Sequence, residues 1–259
     1  MKIIIIIITL LVLAFVSYVC LLLYFNDVYK DNYIKDNYIR KGNSEPRSWD
    51  FVDKVVYINL EDRKDRRAEI DKELSIVPKD KVIRFNAIKD SIGHNGCSKS
   101  HIKVIEMAIN NGWKNVLVVE DDAMFYNFKD GYKKLERLVS DHPNFDVITL
   151  GNVAAKFDRD TGKLYEGQTA TAYIVNSHYY HILLNNFKEG LNELLKIRHL
   201  NASERHPYED KFCVDQHWKL LQKRDNWYIV NPALMIQRPS KSSIIGSKVD
   251  YTSYFNISF

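Results

Sequence analysis

Cysteine is scarce in this 259-residue sequence, which contains only three. Cys20 lies in an apolar block at the N-terminus, whereas Cys97 and Cys213 lie far apart in the remainder of the chain. Two isolated thiols do not form a disulfide framework, and the spacing is not that of a zinc motif. Two alternatives stay open for Cys97 and Cys213: a disulfide in an oxidising compartment, or two buried free thiols.

The sequence also lacks the features of nucleic-acid-binding proteins. Its formal net charge of +4 is small for this length, and no long basic stretch with interleaved aromatic residues is present. A Walker-type phosphate loop is absent as well. The hydrophobic and charged contents of 46% and 27% are those of an ordinary globular protein. We therefore expect a globular protein with no nucleic-acid partner.

One long apolar stretch stands at the N-terminus. Residues 3–25 contain no charged residue, and their polar interruptions are one Thr, one Ser and two Tyr. A helix needs roughly 20 such residues to cross a bilayer. A cleaved signal peptide would instead have an apolar region of about 7–15 residues and a small-residue cleavage site. We therefore expect residues 1–25 to be a transmembrane signal anchor, and the protein to be a single-pass membrane protein.

The side of the membrane on which the remaining chain lies is left open by the sequence. Lys30, Lys35, Arg40 and Lys41 follow the apolar stretch, and basic residues usually stay cytoplasmic. A folded domain behind a short anchor can nevertheless be translocated whole. The membrane would belong to the secretory pathway in a eukaryotic or viral protein and would be the inner membrane in a bacterial one.

Residues 26–50 have the composition of a spacer. The pentad Lys-Asp-Asn-Tyr-Ile occurs twice in succession and is followed by Gly, Asn, Ser and Pro, which are typical of turns and linkers. We interpret 26–50 as a stem and 51–259 as the catalytic domain. An extension of the membrane helix into water is the alternative for the first half of the stem.

Residues 51–151 alternate between short apolar runs and helical patterns. The runs predicted to be strands are 55–58, 82–85, 116–119 and 146–150. Apolar residues at three-to-four spacing predict helices at about 65–74, 98–111 and 132–139. Ser98 is a candidate N-cap of the second helix, and Gly112 a candidate end. This order predicts an α/β fold with a mostly parallel sheet flanked by helices.

Three adjacent acids, Glu120-Asp121-Asp122, directly follow the predicted strand 116–119. That strand has no polar residue and should be covered on both faces, and ligands of such sheets bind beyond the carboxyl ends of the strands. Adjacent carboxylates repel one another, and a bound cation would relieve that cost. Mg²⁺ and Mn²⁺ bind carboxylates together with substrate phosphates. The triplet therefore fits a metal and nucleotide-sugar site, with a solvated acidic turn as the alternative.

Several blocks, in this order, resemble glycosyltransferase family 25, the lipooligosaccharide and collagen-galactosyltransferase type. The blocks within residues 54–245 are 55–60 with Arg63, Asp65 and Arg66, then 96–101, 118–122, 146–151, 171–175, 214–216 and 232–237. The resemblance implies a GT-A-type, Rossmann-like fold, a UDP-sugar donor, Mn²⁺ or Mg²⁺, and inversion at the anomeric carbon. It also implies galactose or glucose as the sugar and a glycan, lipooligosaccharide or glycoprotein hydroxylysine as the acceptor.

Within the triplet, Asp122 is the first choice for the metal ligand. Glu120 would be a second ligand or would reach the ribose through water. Asp121 belongs to the predicted donor-binding set, and it can instead point back to stabilise its own loop.

Other candidate donor-binding residues follow the first strand and occupy the second helix. Asn59, Arg63 and Arg66 could meet uracil, ribose or phosphate, because the Arg guanidinium suits phosphate. The alternative for each Arg is a solvated turn paired with nearby acids. Ser100 and His101 are expected in the first helical turn, where anions are favoured, and a structural role is the alternative for His101.

Asp215 is the candidate general base, because inversion needs a group that accepts the proton of the attacking hydroxyl. An N-cap role is its alternative. His217 is a further candidate metal ligand. Trp218 and Trp227 could stack on a sugar, although core packing is the favoured interpretation for both.

The sequence therefore predicts a membrane-anchored, metal-dependent glycosyltransferase that moves a hexose from a UDP-sugar to an acceptor. A membrane-anchored, non-catalytic glycan-binding protein on a transferase fold is the alternative from another class. A metal-dependent phosphoesterase fits less well, because the Asp and His ligands of a two-metal site are not found.

Overall fold

The computed structural model of this protein describes Ser17, residues 48–241 and residues 248–255. The predicted anchor and stem therefore lie outside the described residues, apart from Ser17 and residues 48–50. Within the described part of the chain, no helix is both long enough and apolar enough to cross a membrane. The 18-residue helix Gly93–Asn110, for example, carries Lys99, Lys103 and Glu106. This finding corrects the predicted localisation as a single-pass membrane protein.

The described residues from Ser48 onward form one compact unit, whose elements follow the predicted alternation of strands and helices. Its strands are β1 (Lys54–Asn59), β2 (Val82–Asn86), β3 (Asn115–Glu120), β4 (Ala123–Phe125), β5 (Val147–Thr149), β6 (Val153–Phe157), β7 (Leu164–Gln168), β8 (Ala172–Asn176), β9 (Trp227–Ile229), β10 (Met235–Gln237), β11 (Ser240–Lys241) and β12 (Lys248–Val249). Its α-helices are α1 (Lys64–Glu73), α2 (Gly93–Asn110), α3 (Phe128–Asp141), α4 (Tyr180–Lys196), α5 (Ala202–Phe212), α6 (Val214–His217) and α7 (Lys219–Gln222).

The central sheet has six strands in the order β2-β1-β3-β8-β5-β9. Strand β1 is parallel to β2 and β3, and β5 is parallel to β9, whereas β8 is antiparallel to both of its neighbours. The prediction of a mostly parallel sheet in an α/β fold is therefore confirmed. In the pairing of β1 with β3, Ile58 lies opposite Glu120. The acidic triplet consequently begins beside the end of the first strand.

Both faces of the central sheet are covered, as the apolar run at 116–119 predicts. Val116 and Val118 pack on one side with residues of α2 and α4. Leu117 and Val119 pack on the other side with residues of α1 and α3. Alternate residues of a strand point to opposite faces, so a run with no polar residue can supply both cores at once.

Helix α2 begins at Gly93, five residues earlier than the sequence pattern predicts, and the prediction that Ser98 caps it is wrong. The cause is tertiary packing around Gly96: a Cβ there would lie 2.6 Å from the Ile88 carbonyl oxygen. Glycine ordinarily weakens a helix interior, and here the close approach of the preceding loop outweighs that cost. Gly112, with φ of 63°, ends the helix as predicted.

Strand β10 fixes the chain just after the triplet. It pairs with β4 in an antiparallel arrangement in which Gln237 lies opposite Ala123. The next residue, Arg238, donates its backbone N–H to the Asp122 carbonyl oxygen at 2.6 Å. The C-terminal part of the chain therefore holds the acidic triplet in place.

Candidate functional site

A cavity of about 390 Å³ lies beyond the carboxyl ends of β1, β2 and β3. We call it the first cavity. The predicted site residues that line it are Arg63, Arg66, Ser100, His101, Glu120, Asp121 and Asp122. The position agrees with the general rule that ligands of such sheets bind outside the carboxyl ends of the strands.

A second cavity, of about 870 Å³, adjoins the first. Asp215 lines it, as do Cys97 and Glu120, and those last two residues also line the first cavity. The structure thus brings the acidic triplet and the candidate base to two adjoining spaces that share the Glu120 side chain.

Asp121 is tied into the protein through both of its carboxylate oxygens. Asn59 Nδ2 donates to Asp121 Oδ2 at 2.8 Å, and Arg66 Nη1 donates to Oδ1 at 2.8 Å. Burial raises the pKa of Asp121, while the Arg66 charge and the two hydrogen bonds oppose that rise. Asp121 is therefore held back toward β1 and α1, in the geometry expected of a residue that stabilises its loop.

Asp122 is the most buried acid of the triplet, with 5% of the residue exposed. Its Oδ2 accepts a hydrogen bond from Gln237 Nε2 at 3.1 Å and lies 3.1 Å from Arg66 Nη1. Its Oδ1 is buried and has no hydrogen-bond partner among the described residues. Burial, and next the charge of Glu120, raises the pKa of the Asp122 carboxyl to about 7.

The Glu120 side chain faces helix α2. Its Oε1 lies 3.5 Å from His101 Nε2 and 4.0 Å from Cys97 Sγ. The side chain is 26% exposed, and its backbone N–H is fixed by the Thr171 carbonyl oxygen at 2.9 Å. With its backbone held and its carboxylate partly exposed, Glu120 lines both cavities.

The residues after β1 differ in what they contact. Arg63 forms an ion pair with Asp65, with Nη2 2.9 Å from Oδ2, as the interpretation of a basic turn predicts. Arg66 is buried against the triplet instead. Asn59 is 1% exposed and donates to the Arg63 carbonyl oxygen at 3.1 Å as well as to Asp121. Asn59 therefore does not line the cavity but holds Arg63 and Asp121, which do.

Ser100 and His101 lie beyond the second turn of α2, so the prediction that they occupy its first turn is wrong. The reason is the earlier start of the helix at Gly93. Ser100 Oγ donates to the Gly96 carbonyl oxygen at 2.7 Å and accepts from the Ile88 N–H at 2.9 Å. Ser100 thus joins the preceding loop to the helix. His101 Nδ1 lies 2.7 Å from the Tyr173 hydroxyl.

Asp215 is the second residue of α6, whose N-cap is Cys213. The N-cap alternative for Asp215 is therefore wrong. Its Oδ2 accepts a hydrogen bond from the Thr169 backbone N–H at 3.0 Å. Burial raises its pKa, the Thr169 N–H opposes the rise, and the Glu120 charge adds to it. A carboxyl whose pKa is raised by burial is suited to accept a proton.

The remaining candidates lie outside the two cavities. His217 lines a separate groove, where its Nε2 is 3.7 Å from Glu189, so it is not placed beside the triplet. Trp218 and Trp227 are fully buried and pack against each other with ring centroids 5.2 Å apart. The core-packing interpretation of both tryptophans is confirmed. Cys97 and Cys213, the cysteines in the described residues, are free thiols; Cys213 is buried, as the second alternative predicts, whereas Cys97 is only partly buried.

The donor set at the triplet fits a hard divalent cation. Glu120 and Asp122 line the same cavity, and the buried Oδ1 of Asp122 lacks a protein partner in the described chain. Oxygen ligands of this type suit Mg²⁺ and Mn²⁺. A cation beside them would relieve both the burial of Asp122 and its repulsion by Glu120.

Some residues that complete the site carry no individual signal in the sequence. Gln237 binds Asp122, Thr169 binds Asp215, and Tyr173 binds His101. Arg84 Nε, on β2, donates to Asn59 Oδ1 at 3.0 Å. Gln237 and Tyr173 lie within blocks that resemble family 25, and that resemblance is the indication that the sequence gives of a role for them. Each is distant in sequence from its partner, so local spacing does not reveal the contact.

No family model matches this sequence, and no curated protein matches it significantly. Solved structures that match include a mannose-1-phosphate geranyltransferase from Thermus thermophilus, at 12% identity over 68% of this chain and 72% of that chain with a TM-score of 0.41. A glycosyltransferase involved in the glycosylation of the major capsid of PBCV-1 matches at 10% identity over 71% and 92%, with a TM-score of 0.43. HddC from Yersinia pseudotuberculosis matches at 14% over 78% and 77%, with a TM-score of 0.37. None of these matches shows membership of glycosyltransferase family 25.

Proposed function

We propose that this protein is a metal-dependent glycosyltransferase that moves a hexose, galactose or glucose, from a UDP-sugar to a glycan, lipooligosaccharide or glycoprotein acceptor. One observation carries the proposal. The buried Oδ1 of Asp122 lacks a partner among the described residues and shares a cavity with Glu120 at the end of β3. A buried carboxylate oxygen that lacks a partner is costly unless a ligand completes its contacts.

Charge supports a cationic ligand. The triplet contributes three carboxyl groups, and Arg66 is the buried cation that pairs with two of them. Burial raises the pKa of Asp122 to about 7, so without a further positive charge this carboxyl is partly protonated near neutral pH. Mn²⁺ or Mg²⁺ held by Glu120 and Asp122 would keep both groups ionised. Such an ion, when bound, neutralises the charge of a leaving diphosphate.

The first cavity has the size and lining for the donor. Small-molecule sites are clefts of about 300–1,000 Å³ with a few convergent polar groups, and this one is about 390 Å³. Arg63 lines it with 21% of its side chain exposed. In this proposal its guanidinium exchanges the exposed partner Asp65 for phosphate oxygens, which it can bind in a bidentate manner.

The second cavity would hold the acceptor. The acceptor hydroxyl attacks the anomeric carbon, the bond from that carbon to the phosphate oxygen breaks, and the diphosphate leaves with the electron pair. The hydroxyl proton goes to Asp215, whose Oδ2 is oriented by the Thr169 N–H. Glu120 lines both cavities, so donor and acceptor would meet beside it.

Calorimetric titration of UDP with and without MnCl₂ tests the donor site. We expect Mn²⁺-dependent binding by the native protein, and a loss of affinity of about 10-fold or more in Asp122→Asn, comparable to the loss of one charge-assisted contact. The control is Asp80→Asn, an exposed acid outside the two cavities. A UDP affinity that does not depend on Mn²⁺, or that is the same in Asp122→Asn and the native protein, would contradict the proposed site.

Release of UDP from a panel of UDP-sugars, measured with candidate acceptors, tests the transfer itself. We expect turnover that requires Mn²⁺ or Mg²⁺ and is highest with UDP-galactose or UDP-glucose. A protein that binds UDP with Mn²⁺ but never releases it from any sugar would be a non-catalytic binding protein, and the enzymatic proposal would then be wrong.

A further inference from the structure

We propose that Cys97, His101 and Glu120 form a second metal site, for Zn²⁺ or a chemically similar transition-metal ion. Their ligand atoms, one sulfur, one ring nitrogen and one carboxylate oxygen, all lie within 4.8 Å of one another. This site is separate from the pair Glu120 and Asp122 discussed above, although the two share Glu120.

The secondary structure brings the three ligands together. Cys97 and His101 are four residues apart on α2, and residues at that spacing lie on one face of a helix. Glu120 reaches the same face from the end of β3. Its Oε1 is 3.5 Å from His101 Nε2 and 4.0 Å from Cys97 Sγ.

The distances are close to those of a zinc centre. Bonds of about 2.0–2.3 Å at a tetrahedral angle place ligand atoms roughly 3.4–3.6 Å apart. The distance between His101 and Glu120 already meets this value. The sulfur has to approach the carboxylate by about half an ångström, and the partly exposed Glu120 side chain can make that movement.

His101 provides the independent indication of a ligand. The residue is 1% exposed, and its Nε2 is buried without a hydrogen-bond partner among the described residues. Its other nitrogen, Nδ1, lies 2.7 Å from the Tyr173 hydroxyl, and the two rings stack with centroids 5.8 Å apart. Metal-bound histidines are typically held in this way, with the second nitrogen fixed by a neighbouring polar group.

The chemistry of the ligands selects the ion. Thiolate and imidazole ligands favour Zn²⁺ and related transition metals, whereas Mg²⁺ and Mn²⁺ favour oxygen. Three protein ligands leave a fourth position open, as in zinc sites that bind water or substrate. Cys97 and Glu120 line both cavities, so the site lies where the two cavities meet.

Sharing of Glu120 has a consequence for regulation. An ion held by Cys97, His101 and Glu120 would compete with an ion at Asp122 for the Glu120 carboxylate. Zn²⁺ should therefore weaken Mn²⁺-dependent binding of UDP. This consequence rests on the proposed donor site, whereas the zinc site itself does not.

The test measures metal binding directly. The full-length protein is titrated with Zn²⁺ in competition with a chromophoric chelator, and the absorption spectrum is recorded with Co²⁺ in place of Zn²⁺. We expect one Zn²⁺ per chain, a thiolate-to-cobalt charge-transfer band in the near ultraviolet and d–d bands of tetrahedral intensity. In Cys97→Ala the zinc affinity should fall by more than the about 10-fold to 100-fold that is lost when only a hydrogen-bond partner of a ligand is removed, and the charge-transfer band should vanish.

The matched control is Cys213→Ala. Cys213 is the other free thiol of the described chain and also lines the second cavity, so its removal should leave the zinc affinity and the cobalt spectrum unchanged. Equal zinc affinities in Cys97→Ala and the native protein would overturn the site. A cobalt spectrum of the native protein without the sulfur band would overturn it too, even if Cys97→Ala failed to fold.

Discussion

Arg66 Nη1 lies 2.8 Å from Asp121 Oδ1 and 3.1 Å from Asp122 Oδ2. The three side chains are between 6% and 9% exposed, so a single buried guanidinium serves two buried carboxylates. This contact joins α1 to the end of β3. It also leaves the charge of the triplet only partly compensated, which is why we place a further cation there.

Replacement of Arg66 should be strongly destabilising. Arg66→Met keeps much of the side-chain volume but leaves Asp121 and Asp122 without their buried counterion, and breaking such a pair costs about 3–5 kcal/mol. Urea unfolding at pH 8 measures the loss. Arg63→Met is the matched control, because the exposed pair with Asp65 contributes about 1 kcal/mol or less. Equal losses in the two variants would show that Arg66 does not stabilise the triplet.

Asp122→Asn should stabilise the metal-free protein at alkaline pH. The folded pKa of Asp122 is about 7, above its ordinary value of 3.8, so the folded state holds a proton between these pH values that the unfolded state has lost. The stability contributed by this group is therefore highest below pH 4 and falls as the pH rises to about 7. Removal of the charge should raise the free energy of unfolding at pH 8 by on the order of 2 kcal/mol.

Urea unfolding at pH 8 and at pH 4, with chelator present, checks this prediction. The gain in Asp122→Asn should shrink toward zero at the lower pH, and the exposed Asp80→Asn should show little change at either. Saturating Mn²⁺ should raise the free energy of unfolding of the native protein more than that of Asp122→Asn, because an ion stabilises only a folded state that binds it. A gain that is independent of pH would refute burial as its cause.

The alternation of elements was predictable because each one carries a strong local pattern. The run at 116–119 has no polar residue, and the structure covers both of its faces. The start of α2 was not predictable in the same way. Gly93 and Gly96 are poor helix formers, and the close approach of the Ile88 carbonyl to Gly96 is a tertiary contact that the local sequence does not reveal.

The candidate site was likewise predictable only in part. The acids of the triplet were visible because they directly follow a strand, and the structure places them at a cavity. Their partners were less visible, since Gln237 and Arg66 are 115 and 55 residues from the acids they contact. Cys97 and His101 belong to block 96–101 of the family resemblance. Their proximity to Glu120, however, depends on how α2 packs against β3. Roles that depend on a bound ligand stay predictions.

Asp215→Asn should slow transfer without weakening the donor. A positioned general base contributes about 10²-fold to 10⁴-fold to a rate, and the amide cannot accept the proton of the acceptor. The native kcat should rise with pH as the carboxyl ionises, at a pH above the ordinary range of an aspartate because burial raises its pKa. The rise should be lost in Asp215→Asn.

Steady-state kinetics with parallel titration of UDP in the presence of Mn²⁺ separates these effects. The dissociation constant of UDP should be unchanged in Asp215→Asn, since Asp215 lies in the second cavity. Asp80→Asn, at an exposed acid outside the two cavities, serves as the control. A variant Asp215→Asn that keeps the native kcat would remove Asp215 as the base.

Thr169, which positions Asp215, has a backbone that favours glycine. Its φ is 77°, a left-handed conformation that costs an L-residue about 1–2 kcal/mol and is unusual for a β-branched side chain. Thr169→Gly removes that strain but adds about 0.5–1 kcal/mol of chain entropy to be lost on folding. Thr169→Ala removes the hydroxyl and retains the Cβ. We therefore expect the free energy of unfolding, measured in urea, to be about 0.5–1 kcal/mol higher for Thr169→Gly than for Thr169→Ala. An alanine variant at least as stable as the glycine variant would show that this backbone is not strained.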